Sequence, residues 1–137
     1  MGKFADQLKA FQLKTEGLAE TTTRLAVLEV WTRLIIRSPV DLGRFRSAWS
    51  PSYDEIVERT VERPALELGM YGPPRPPVFT EKIVGRRFFI SNNLPYAQAL
   101  ENGSSKQAPQ GMVRLTAMEW PQIVRKAVAA AHTSPPT

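Results

Sequence analysis

The sequence predicts an α+β fold, in which a long N-terminal helix packs on a small antiparallel β-sheet and a short helix and a C-terminal helix complete the domain. Apolar residues recur at helical spacing as far as residue 37, and a β-favouring run occupies residues 86–91. A second helical pattern begins near residue 112. The 137 residues have the length of one domain, and a hydrophobic content of 42% can supply its core.

Residues 1–37 are predicted to form the long helix. Its apolar residues follow a helical repeat: Phe4, Leu8, Phe11, Leu18, Leu25, Leu28, Trp31, Leu34 and Ile35. Gly17 lowers the local helix propensity and allows a bend. Pro39 ends the helix, because the residue before a proline is driven out of the α region. Trp31 and Leu28 are expected to face the sheet.

A tight turn is predicted between Pro39 and Gly43. Asp41 can accept backbone N–H groups within the turn, and Gly43 tolerates a positive φ. Residues 44–53 alternate partially in polarity and predict a strand that starts near residue 45 or 47. Residues 54–69 fit either a strand or a helix. The whole sheet is expected to have about three to five strands.

Residues 70–79 are predicted to form a proline-rich arm. The prolines exclude a helix and a central strand, so the backbone should be extended. They are Pro73, Pro74, Pro76 and Pro77. A rigid arm that contacts a neighbouring subunit, rather than its own core, is one interpretation, and a plain surface loop is the other.

The remaining elements follow from residue 82 onward. Residues 82–91 are predicted to be a strand, and a short helix should follow from Tyr96 to Asn102, with Gly103 as its C-terminal cap. Pro121 should kink or split the last helix. Residues 133–137 are predicted to be a non-helical tail.

The residue types exclude several functions. The chain has no cysteine and one histidine, His132, and it shows no metal-ligand spacing, phosphate-binding loop or nucleophile–base pair. We therefore expect neither a cofactor nor a metal, and no enzymatic activity. No apolar run approaches the roughly 20 residues that cross a bilayer, so no membrane contact is expected. The net charge of +5 raises the chance of contact with an acidic partner or nucleic acid, but the charges alternate in sign along most of the chain, which favours an ordinary solvated surface.

Several residues are candidates for contacts with partners. Arg44, Arg46 and Trp49 fit a DNA-binding patch, a protein interface, or a strand with its aromatic residues in the core and its arginines in solvent. Glu101 lies near the C-terminus of the short helix, where the dipole is unfavourable, so either Arg44 or Arg46 pairs with it or it is simply exposed. The other interface candidates are the four prolines of the arm and three further residues: Arg86, Arg87 and Tyr96.

Two segments together resemble the motifs of the neck, or tail-completion, proteins of long-tailed bacteriophages. The first matches at Pro39, Val40, Asp41, Gly43, Arg44 and Arg46, and the second at Tyr96, Ala97, Glu101, Gly103 and Ser104. Leu42 replaces the usual threonine, Phe45 replaces a leucine, and Met112 replaces an aromatic residue before the final helix.

The resemblance implies a virion protein that is made in the host cytoplasm and lies in the neck as a ring of about six or twelve subunits, a symmetric closed assembly. Such a ring joins the tail to the head connector or adaptor, with tail-terminator or tail-tube proteins as further partners. DNA would pass non-specifically through its lumen.

Three alternatives stay open: a tail-terminator ring protein, a basic DNA-binding packaging or assembly factor, and a small enzyme of unrecognised type. Salt-dependent binding to duplex DNA would favour the packaging factor. An enzyme would need a pocket with perturbed titratable groups.

Overall fold

The computed structural model describes residues 2–40, 43–58 and 74–133. The fold is α+β, as predicted: it has a long N-terminal helix, a small antiparallel sheet, short helices and a C-terminal helix. In chain order the elements are α1 (Gly2–Arg37), α2 (Arg44–Ser47), β1 (Ser50–Tyr53), β2 (Phe88–Ser91), α3 (Ala97–Glu101), α4 (Val113–Met118) and α5 (Trp120–Thr133). Asp41, Pro73 and residues 134–137 of the predicted tail lie outside the described residues.

Helix α1 runs unbroken through Gly17 and ends at Arg37, the predicted position. One glycine costs a helix about 1 kcal/mol relative to alanine, which is too little to interrupt backbone hydrogen bonds that continue on both sides of it. Ion pairs between Glu20 and Arg24 (2.7 Å) and between Glu29 and Arg33 (3.0 Å) support the middle of the helix.

The C-terminal half of α1 packs mainly on α5. Ala26 of α1 meets Ile123 and Ala127 of α5 in a buried cluster, and the small alanine side chains allow the helices to approach closely. Arg33 of α1 pairs with Glu119 at 2.9 Å, immediately before α5. The apolar cluster and the ion pair together hold the C-terminal half of α1 against α5.

The sheet contains two antiparallel strands in the described ranges, fewer than the predicted number, with Ser50 opposite Ser91 and Tyr53 opposite Phe88. The predicted strand start near residue 45 or 47 is wrong, because residues 44–47 form the helical turn α2. The Ser47 N–H donates to the Gly43 carbonyl at 2.9 Å, which closes that turn.

The later elements agree partly with the predictions. Strand β2 begins at Phe88 rather than at residue 82, because residues 84–86 turn the chain. The split at Pro121 is confirmed: α4 ends at Met118, and Pro121 occupies the first turn of α5, where a missing N–H costs nothing. Thr133 is the last residue of α5, so the helix extends one residue into the predicted tail.

The main core lies where α1 meets the segments on both sides of α3. Its buried members are Trp31, Leu34, Phe45, Ala48, Trp49, Leu94, Ala108 and Met112. Trp31 is buried, as expected, and Ile90 is the sheet residue that packs against this core. Leu28 is half-buried.

Candidate functional site

The two segments that carry the family resemblance lie side by side. The backbone N–H of Val40 donates to Gln107 Oε1 at 2.8 Å, and Gln107 Nε2 donates back to the Val40 carbonyl at 3.1 Å. Asn92 Nδ2 donates to the Phe45 carbonyl at 2.8 Å. The side chains that flank the second segment, Asn92 before it and Gln107 after it, thus hydrogen-bond to the backbone of the first. We call residues 38–40, 43–49 and 92–114 together the motif junction.

Trp49 stabilises the motif junction from inside. It is 3% exposed, and its indole N–H donates to Ser38 Oγ at 2.7 Å. The same hydroxyl donates to the Leu34 carbonyl at 2.6 Å at the end of α1. The Phe45 ring meets Trp49 edge to face, with 5.6 Å between centroids. Of the three interpretations of this segment, the structure therefore places Trp49 and Phe45 in the core.

Arg44 and Arg46 lie at the outer edge of the same unit. Both are half-buried, and the Arg44 guanidinium lies 5.5 Å from the centroid of the Tyr96 ring. Tyr96 also lies 6.2 Å from the Phe45 ring, so it connects the basic edge to the core. Arg46 Nε is shielded from solvent and has no hydrogen-bond partner among the described residues.

Glu101 has a different positive partner from the predicted arginine. Its Oε1 accepts the backbone N–H groups of Met112 at 3.0 Å and Val113 at 2.9 Å, and its Oε2 accepts that of Arg114 at 3.0 Å. These donors form the N-terminus of α4, where the helix dipole favours a carboxylate. Glu101 therefore stabilises α4 across a loop.

The electrostatics of Glu101 agree with this arrangement. Burial by itself raises the pKa of a carboxyl group, but here the three backbone N–H donors and the Arg114 charge outweigh it. The pKa of Glu101 therefore lies below its ordinary value of 4.5, and the group is ionised at neutral pH.

The two glycines of the predicted turns have the expected backbone. Gly43 has φ 87° and precedes α2, and Gly103 has φ 92° just after α3. A Cβ on Gly103 would lie 2.5 Å from the Pro109 carbonyl oxygen, so the loop also leaves no room for a side chain at this position. Pro39 is buried at the end of α1.

Arg86 is engaged within its own chain. Its guanidinium pairs with Asp54 and Glu81, and it lies 4.6 Å from the centroid of the Tyr53 ring. The Asp54 and Glu81 carboxylates raise the pKa of Arg86 further above its ordinary value. This group joins the end of β1 to the loop before β2. Arg87 is exposed, and its carbonyl accepts the Asp54 N–H at 2.8 Å.

The described part of the proline-rich arm lies partly on its own chain. Pro74 is half-buried, Pro76 is exposed and Pro77 is buried. Phe79 follows directly, with its ring 5.8 Å from that of Phe88 and 5.4 Å from the Arg24 guanidinium. The prediction that this segment contacts a neighbour rather than its own core is therefore wrong for Pro77, and it stays a prediction for the exposed positions.

Sequence reasoning missed the residues that join the two segments. Gln107, Asn92 and Ser38 are ordinary polar residues in loops, and only their donors and acceptors in the folded chain make them connectors. A polar residue between motifs has many possible partners. No pattern in the sequence selects one of them.

The described residues contain no group of acidic or histidine side chains placed to hold a metal ion. Within the same ranges, no helix is both long enough and apolar enough to cross a membrane. No family model, curated protein or solved structure matches this chain. The motif junction combines arginines, aromatic rings and a capped helix N-terminus, which are groups suited to binding and positioning.

Proposed function

We propose that this protein is a structural virion protein of a tailed phage, which forms a ring in the neck, completes the tail and joins it to the head connector. The observation that carries the proposal is the motif junction. Two segments that resemble the family's motifs are far apart in the sequence, yet Phe45 of the first contacts the Tyr96 ring of the second, and both belong to one apolar core.

The basic edge of the junction supports an assembly role. Arg44 and Arg46 are half-buried on the helical turn α2, and arginine is favoured at protein interfaces because its planar guanidinium binds carboxylates in a fixed geometry. In the proposed ring these residues contact a neighbouring subunit, the head connector or adaptor, or a tail-terminator or tail-tube protein. DNA passes through the lumen without base-specific contacts.

The decisive experiment reverses the charge of both arginines. Arg44→Glu combined with Arg46→Glu, introduced into the phage that encodes the chain, should reduce infectious particles at least tenfold and leave free heads and free tails in electron micrographs. Arg125→Glu, at an exposed position on α5, is the matched control and should yield normal particles. Normal virion yield from the double variant would refute the assignment.

The folding of the double variant must be checked, because Arg44 stacks on Tyr96. Arg46→Gln removes one charge with a smaller change in size, and it should give the same defect in a milder form. The isolated protein should bind duplex DNA weakly. Tight binding that weakens steeply with salt would favour a DNA-binding packaging factor instead.

A further inference from the structure

Asn102 is followed directly by Gly103 at the end of α3, inside the motif junction. In an Asn-Gly pair the backbone nitrogen of the glycine attacks the side-chain amide carbon of the asparagine more readily than in other pairs, because glycine has no Cβ to hinder the approach. Asn102 is exposed, so water reaches its side chain. The chain has two other asparagines, Asn92 and Asn93, and neither precedes a glycine.

The folded conformation restrains this attack. Asn102 has φ −81° and ψ 6°, and the Gly103 N–H donates to the Leu100 carbonyl at 3.1 Å. The nitrogen that must attack is therefore engaged in a backbone hydrogen bond. The next N–H, that of Ser104, donates to the Ala99 carbonyl at 3.1 Å and closes the end of α3. The attack requires that the end of α3 opens first.

Opening the end of α3 disturbs little of the domain. The helix has five residues (Ala97–Glu101), a length at which an isolated helix is unstable, and none of them is buried. Segments with few buried contacts open at a lower free energy than the whole domain. The Glu101 carboxylate ties this end of α3 to the start of α4 by accepting three backbone N–H groups. The frequency of opening therefore depends on the Glu101 cap.

We propose that Asn102 is a site of spontaneous deamidation, whose rate in the folded chain is set by the Glu101 cap. The Gly103 nitrogen forms a bond to the side-chain carbon of Asn102 and gives up its proton. The side-chain nitrogen takes up a proton and leaves as ammonia. Water then opens the resulting succinimide ring at either of its carbonyl groups, which gives aspartate or isoaspartate. Water is the only co-reactant that the chemistry needs.

The product of the reaction disturbs the motif junction. Isoaspartate routes the backbone through the former side chain and so lengthens it by one atom between Glu101 and Gly103. The junction has little room for this change, since a Cβ on Gly103 would lie 2.5 Å from the Pro109 carbonyl oxygen. Both products also place a new carboxylate next to Glu101, and like charges repel. Deamidation should therefore loosen the cap on α4.

Mass spectrometry of the purified chain, aged at body temperature and mildly alkaline pH, tests the proposal. Residue 102 should change from amide to acid, located by fragment ions, whereas Asn92 and Asn93 should keep their amides. Glu101→Gln should react at least threefold faster than the wild type when both are folded, and at the same rate when both are unfolded in urea. Glu55→Gln, on an exposed turn, is the control and should age as the wild type does. An intact amide at residue 102, or equal rates for the folded wild type and Glu101→Gln, would overturn the proposal.

The effect on stability is tested with a variant that cannot react. Asn102→Ser removes the amide at an exposed position, so it should fold like the wild type and keep its urea unfolding midpoint during the same incubation. The aged wild type should contain a second population that unfolds at lower urea, in proportion to its isoaspartate content. A deamidated wild type with an unchanged midpoint would contradict the loosening of the cap. Neither measurement involves particle assembly, so the outcome is independent of the proposed function.

Discussion

Replacing Glu101 by glutamine tests the central interaction of the motif junction. The carboxylate accepts three backbone N–H groups from the start of α4, at 2.9–3.0 Å. Glutamine has nearly the same shape, but it keeps one acceptor oxygen and places an N–H₂ donor against the remaining backbone donors. The change therefore removes interactions and leaves the surrounding packing in place.

The expected loss is about 2 kcal/mol of unfolding free energy. A hydrogen bond to a charged group contributes about 1.5–3 kcal/mol, and the loss of a helix N-cap costs about 0.5–2 kcal/mol. The expected loss of unfolding free energy lies in the lower part of this combined range, because Val113 and Arg114 are exposed and water can hydrogen-bond to backbone N–H groups that lose the carboxylate. With a slope of about 2 kcal/mol per molar urea, the unfolding midpoint should fall by about 1 M.

The pH dependence provides an independent check. Because the pKa of Glu101 is lowered in the folded state, its stabilisation is fully present above the ordinary carboxyl pKa of 4.5 and is lost as the pH falls through the lowered pKa. Wild type and Glu101→Gln should therefore differ at neutral pH and converge in acid. Glu55→Gln, on an exposed turn, is the control and should match the wild type throughout. A Glu101→Gln midpoint equal to that of the wild type at neutral pH would refute the capping role, as would a difference that persists undiminished in acid.

Three further predictions concern the supports of the site. Gly43→Val should lower the unfolding free energy by more than about 1 kcal/mol, because φ is 87° at residue 43 and a side chain there is strained. Gly17→Ala, in the exposed part of α1, is the control and should raise the unfolding free energy slightly. Urea unfolding that shows no loss of stability for Gly43→Val would contradict the strain argument. Trp49→Phe should cost about 1–3 kcal/mol, since Ser38 Oγ loses its buried indole donor, and a thermal melt that shows no shift would count against that hydrogen bond. Arg37, and to a smaller extent Arg33, lower the pKa of Glu119 to about 2. The wild type therefore loses the stabilisation from the Glu119 carboxylate only as the pH falls from 4.5 towards 2, whereas Glu119→Gln lacks this stabilisation at every pH. Identical acid denaturation curves for the two proteins would disprove the contribution of Glu119.

Much of the architecture was predictable, because local chemistry decides it. The end of α1 before Pro39, the positive φ of Gly43 and the split before Pro121 all follow from steric limits on proline and glycine, which act within a few residues. The apolar repeat of α1 predicts an interior position for Trp31, which is buried, but the same repeat includes Phe4 and Phe11, which are exposed. The strand predicted near residue 45 failed because the same alternation fits a helical turn once Gly43 starts it.

The candidate site was predictable only in part. The sequence indicated that Glu101 needs a positive partner, since it lies at the unfavourable end of α3, and that requirement is a local property of the helix dipole. The identity of the partner was not local. The loop after Gly103 places the start of α4 against the Glu101 carboxylate. No pattern of neighbouring residues predicts which distant residues a loop brings into contact.

The sequence by itself determined where helices start and stop, which residues prefer the interior, and which two segments resemble a family's motifs. Each of these depends on neighbours within about one or two turns of helix. The tertiary structure alone decided that Val40 and Gln107 hydrogen-bond to each other, that Trp49 lies in the core, and that residues 2–17 of α1 are exposed. These features depend on contacts between residues far apart in the chain, whose partners are chosen by the packing of the whole domain.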